Sequence, residues 1–169
     1  MKKLILILLP LLFILHFSSC KKDPVATGID KQLFDMAGET EGYTWYKNSD
    51  AFLPKSSGSG HPQALLRTRF NDVASSMLDE NGKVKDDASF PEGSLIVKEL
   101  HDKENSLSRY AILYKDTGNV SADNRGWVWG YVNADGTVSI SATKKGSSCI
   151  NCHLQEGNID YTLMNKFFP

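Results

Sequence analysis

Hydrophobic and polar positions change their period along this chain, and the change sorts it into elements. From Leu4 to Phe17 the run "LILILLPLLFILHF" is apolar almost without a break. Further on, short apolar stretches separated by turn residues take over. "ALLRTRF" (Ala64 to Phe70) reads as a strand. Four more stretches are rich in β-branched and aromatic residues: "SLIVKELH" (Ser94 to His101), "SRYAILYK" (Ser108 to Lys115), "GWVWGYVN" (Gly126 to Asn133) and "TVSIS" (Thr137 to Ser141). The connections "KDTGN" and "NADGT" have turn chemistry, with Asp135-Gly136 set for a hairpin loop. Successive strands on short connections predict an antiparallel sheet. Helices are predicted at "KQLFDMA" (Lys31 to Ala37) and "DVASSMLDENG" (Asp72 to Gly82), the second opened by Asp72 and closed near Gly82. "KSSGSGHP" (Lys55 to Pro62) is a loop by composition, and "DYTLMNKFF" (Asp160 to Phe168) a helical closing piece. The expected class is α+β, mainly antiparallel β-sheet with a few helices.

The N-terminal run changes the picture first. Lys2 and Lys3 precede it, and it is too short, with Pro10 inside, to read as a membrane span. "SSC" follows, the layout of a bacterial lipoprotein signal in which Cys20 is acylated and becomes the new N-terminus. Phe17 departs mildly from the usual Leu, and an ordinary signal peptide with an incidental cysteine is the alternative. Lys21, where an Asp would retain the protein at the inner membrane, points to the outer membrane. The expectation is therefore an exported protein with a signal over residues 1–19, a lipidated tether over 20–30 and a folded domain over 31–169. The 169 residues suffice for one domain. A net charge of −1 gives no field for nucleic acid.

Cysteine spacing supplies the chemistry. With Cys20 lipidated, only Cys149 and Cys152 of the three cysteines remain, too few for a disulfide framework. Both sit in "CINCH", where His153 follows directly. On a helical turn, residues three and four apart share a face. Two thiols and an imidazole so arranged suit covalent haem c, one per chain: Cys149 and Cys152 bond the vinyl groups and His153 is the proximal iron ligand. That makes the C-terminal segment a haem-attachment helix. Zinc would need four ligands, and beyond the leader only His61 and His101 remain. A thioredoxin-like pair would sit early in a βαβ unit, and a plain disulfide leaves His153 unexplained. The motif's late position, after a sheet-rich domain, separates the chain from small helical cytochromes c.

The phrases "LLRTRFND" (Leu65 to Asp72), "FPEGSLIVKEL" (Phe90 to Leu100), "GWVWGYVNADG" (Gly126 to Gly136), "CINCH" and "DYTLMNKFFP" come in the order found in the cytochrome P460 family, which the chain resembles from Tyr43 to Pro169. The resemblance implies one of two activities on a shared fold. One branch oxidises hydroxylamine at a haem cross-linked to a lysine. The other, the cytochromes c′-β, binds nitric oxide at a five-coordinate iron under an apolar cap. Both resemble sheet-rich homodimers, and a redox partner is implied for the first.

Lys98 matches the cross-linking lysine. Strand alternation independently sets it between Ile96 and Leu100 on one face, where desolvation would lower its pKa. Arg67 matches the family's early arginine, a candidate for haem propionates or a distal ligand. Trp127 and Trp129, with Tyr131, share a strand face and are candidates for packing on the porphyrin; Phe70 and Phe90 are candidates for the apolar cap. His61, His101 and Met77 are the alternative sixth ligands of an electron-transfer cytochrome. One departure stands out: the stretch from Gly136 to Cys149 contains no Asp or Glu, where hydroxylamine oxidisers of the family carry a proton-accepting carboxylate. The expectation is thus a binder of nitric oxide or hydroxylamine, with the oxidising enzyme as alternative.

Overall fold

Stretches this rich in β-branched and aromatic residues bury side chains on both faces, so they pair edge to edge and are covered on both sides. The computed structural model describes residues 22–169; the leader and Cys20 lie outside the described residues. Seven strands form one antiparallel sheet: β1 (Thr44–Trp45), β2 (Leu53–Pro54), β3 (Leu65–Phe70), β4 (Leu95–His101), β5 (Leu107–Lys115), β6 (Trp127–Asn133) and β7 (Val138–Ile140). The order is β1-β3-β4-β5-β6-β7, and β2 shares the β3 edge with β1. The β6–β7 connection is the expected tight turn, with Gly136 at φ +79° and Asp135 accepting from the Thr137 backbone.

Register decides what each face carries. Thr68, Lys98, Ala111, Tyr131 and Ile140 lie in one cross-strand row, and Phe70, Ile96, Leu113 and Trp129 in the next. The opposite face presents Leu95, Val97, Ile112, Val128, Val132 and Val138, covered by helix α1 (Gly28–Gly38) through Leu33 and Ala37. Gly130 permits this close packing, since a Cβ there would meet Leu33 at 2.9 Å. The first face is covered by the C-terminal segment, including Tyr161 and Met164.

Two expected boundaries move. The tether does not run to Asp30: Val25 bridges Thr137, Ala26 donates to the Gly136 carbonyl, and α1 begins at Gly28. Buried Asp30 accepts from the Ser141 hydroxyl and the Ala142 amide. The helix expected over Asp72–Gly82 is a single turn, α2 (Asp72–Ser75), capped by Asn71 rather than Asp72. Ser75 and Ser76 return their hydroxyls to the carbonyls three residues back, and Leu78 bridges Val84. Such local side-chain bonds compete with helix propagation.

Candidate functional site

The motif Cys149–His153 forms one turn at the first face of the sheet. Cys149 caps helix α3 (Ile150–His153), and the amides of Cys152 and His153 both reach back to its carbonyl at 3.1 Å. Gly146 opens the approach at φ +69°, pressed flat against Trp129, whose ring a Cβ would meet at 2.6 Å. Both thiols are free, Cys149 half-buried and Cys152 exposed. Burial pushes the Cys149 thiol pKa up.

His153 is fixed from two directions. Its Nδ1 donates to the Tyr161 carbonyl at 2.7 Å, and its ring meets Trp129 edge-on with centroids 5.2 Å apart. A carbonyl can only accept, so Nδ1 carries the proton and Nε2 presents its lone pair. Burial lowers the imidazole pKa to about 4, with the Lys98 charge acting in the same direction against the Tyr161 bond. The carbonyl that holds it sits in an unusual turn, with Asp160 at φ +42° and Tyr161 at +71°. Left-handed backbone in two consecutive non-glycine residues costs energy and must be held by its surroundings. Asp160 does so: its carboxylate accepts from the Phe90 amide and from Trp127 Nε1, each at 3.0 Å.

Beside these groups lies a cavity of about 220 Å³, lined by Cys149, Cys152 and His153 together with Leu66, Thr68, Ile96, Lys98, Ala111, Leu113, Trp129, Tyr131, Met164 and His61 among others. Its space has a sequence cause. Thr68 and Ala111, both small, flank Lys98 on the neighbouring strands. No carboxylate is among the lining residues. Lys98 makes no hydrogen bond or ion pair among the described residues, and desolvation lowers its pKa to about 8.

The other expected residues are distributed differently. Trp129 lines the cavity and donates Nε1 to Asp123 at 2.9 Å. Trp127, Phe70 and Phe90 do not line it; they are core beside it, with Phe70 and Phe90 stacked at 6.3 Å and Phe90 edge-on to Trp127 at 5.8 Å. Arg67 is on the opposite face, because its partner across β3–β4 is Glu99 while Thr68 faces Lys98. There it pairs with Glu99 and stacks over Trp45 and Phe52, out of reach of the cavity. His101 shares that face and approaches Glu99 at 3.1 Å. Met77 packs on the core without lining the cavity. His61, a loop residue by composition, is the one whose position the sequence concealed: the loop around Gly58 packs on Phe167 and brings His61 to the cavity wall. No pattern in "KSSGSGHP" signals this.

Among the described residues no three His, Cys, Asp or Glu side chains converge as a site for a bare metal ion. Two thiols and one imidazole lone pair on the wall of a largely apolar cavity suit instead a planar cofactor that brings its own four nitrogen ligands to the metal. The residues present fit a haem. A family model described as Cytochrome P460 matches residues 44–164, from the first residue of β1 to Met164. No curated protein matches the chain.

Proposed function

Because the chain belongs to the cytochrome P460 family, whose members are haem cytochromes, we propose that it is a monohaem c-type cytochrome binding small nitrogen-oxide ligands, nitric oxide or hydroxylamine, at a five-coordinate iron. Cys149 and Cys152 would hold the haem as thioethers, each thiol S–H adding across a vinyl group. His153 supplies Nε2 as proximal ligand, its orientation fixed by the Tyr161 carbonyl. Haem held there would supply an iron able to bind a small ligand. Leu66, Ile96, Leu113 and Met164 line the cavity and would keep it dry. The signal and Cys20 support export and a lipid anchor at the outer membrane, and the family resemblance supports a homodimer.

The observation that carries binding over turnover is the cavity lining. Oxidation of hydroxylamine requires removal of N–H and O–H protons, and among the described residues no Asp or Glu lines the cavity to receive them. A second reading has one observation of its own. Lys98 has no partner among the described residues in the same cavity, and its pKa, lowered to about 8, raises the share of neutral amine that can act as a nucleophile toward a porphyrin carbon. That bond replaces one N–H and one C–H hydrogen, so a two-electron oxidant of the peroxide class must accept them.

One spectrum tests both. The chain, made with its signal alongside haem-attachment machinery, is reduced and its absorption recorded before and after carbon monoxide. An ordinary ferrous c-type Soret band that shifts on carbon monoxide is expected. A strongly red-shifted, broadened Soret band would favour the lysine-linked enzyme. A low-spin spectrum indifferent to carbon monoxide would contradict an open iron and favour electron transfer.

A further inference from the structure

The carbonyl that engages His153 belongs to a turn of unusual construction. Ile159 and Thr162 bond each other both ways: the Ile159 amide donates to the Thr162 carbonyl at 2.9 Å and the Thr162 amide to the Ile159 carbonyl at 2.8 Å. Asp160 and Tyr161 are the two residues between, with φ positive at both, the pattern of a type I′ turn. Such turns favour Asn-Gly, and a tyrosine in the second place is strained. The peptide joining Tyr161 to Thr162 is planar and trans, so its N–H and C=O point in opposite directions. Its N–H is turned inward to Ile159, and its C=O is therefore turned outward, where His153 Nδ1 donates to it at 2.7 Å. An ordinary φ at either residue would swing that plane and lose the contact.

Asp160 ties the turn to the sheet. One carboxylate oxygen accepts from the Phe90 amide, ahead of β4, and the other from Trp127 Nε1 on β6, each at 3.0 Å. Lys115 Nζ, at the end of β5, lies 3.7 Å from the same carboxylate. The Tyr161 ring is held separately, edge-on to Trp129 with centroids 5.1 Å apart. We propose that Asp160 is a positioning residue for the iron: by holding the turn it aims the Tyr161 carbonyl at His153, and so sets how strongly Nε2 donates to the metal. This role rests on haem occupying the cavity. An acceptor fixed on Nδ1 makes the imidazole a stronger electron donor, which favours ferric over ferrous iron. Asp160 itself does not touch His153; it acts through the backbone of the turn.

The reduction potential is the readout, measured by spectroelectrochemical titration of the holoprotein beside D160A, D160N, W127F and N71A. D160A releases the turn and raises the ferrous-to-ferric ratio at a fixed solution potential about 3- to 10-fold, the weight of one hydrogen bond. D160N tolerates positive φ as well as aspartate does and keeps one acceptor, so it recovers most of the wild-type value. W127F removes one of the two donors and moves the ratio in the same direction by less. N71A takes the acceptor from the Ala74 and Leu95 amides, outside the turn and the cavity lining, and lowers stability without moving the potential. A D160A potential equal to wild type would overturn the proposal, as would an unchanged W127F where D160A takes up no haem. So would D160N shifted as far as D160A, since charge rather than position would then act, or N71A shifted as far, since the effect would be general loosening. A wild-type protein without a Soret band would remove the haem reading itself, a result distinct from all of these.

Discussion

Lys98 places a stability cost on the wall of the cavity. It is flanked by Thr68 and Ala111 on the neighbouring strands and by Ile96 and Leu100 along its own, none of which offers a counter-charge. The folded pKa is about 8 against an ordinary 10.5. Between those values the unfolded chain binds more protons than the folded one, so stability rises with pH across that window. Below pH 8 the residue costs the fold about 3 kcal/mol at most. Lys98→Met is therefore expected to stabilise the holoprotein at pH 7 by roughly 1–3 kcal/mol in urea titration. The advantage shrinks above pH 8 and is gone near pH 10.5. A variant no more stable than wild type at pH 7 would mean that the amine has a partner in the holoprotein, the porphyrin bond included.

At the scale of elements, the loop that delivers the cysteines depends on a glycine. Gly146 combines φ +69° with a contact that places any Cβ inside the Trp129 ring. Gly146→Ala forces the backbone and the indole apart, and Trp129 is what steadies His153. A loss of about 1–3 kcal/mol is expected in urea titration, with a shift of the haem reduction potential that an alanine at exposed Gly38, at the end of α1 on the other face, does not produce. The same scale shows what could be read beforehand. Strands β3 to β7 were legible because alternation and turn residues agree over five or more positions, or because Asp135-Gly136 fixes the last pair. The two-residue strands β1 and β2 carry no period and were missed. Face within a strand was legible, as for Lys98 against Glu99, but register between strands was not. Arg67 was expected at the cavity from its match to the family's early arginine, and the pairing with Glu99 puts it behind the sheet. His61 depends on a loop folding over Phe167, a contact that only the tertiary structure contains.

The whole molecule is a sheet with two unlike faces. One is sealed by α1 over a Val-, Leu- and Ile-rich cluster. The other gathers a cavity, a cysteine pair and an oriented histidine under a short C-terminal cover. Behind the sheet, Arg67, Arg69 and His101 converge on Glu99, a buried charge cluster that fixes the β3–β4 pair from the side away from the cavity. The central claim is that the reactive face holds haem c through Cys149 and Cys152. It is tested most directly by the intact mass of the denatured protein made with haem-attachment machinery. The account predicts the polypeptide plus one haem, reduced to the bare polypeptide in the C149S/C152S double variant. A bare polypeptide from the wild type, with haem either absent or extracted into solvent, would contradict it.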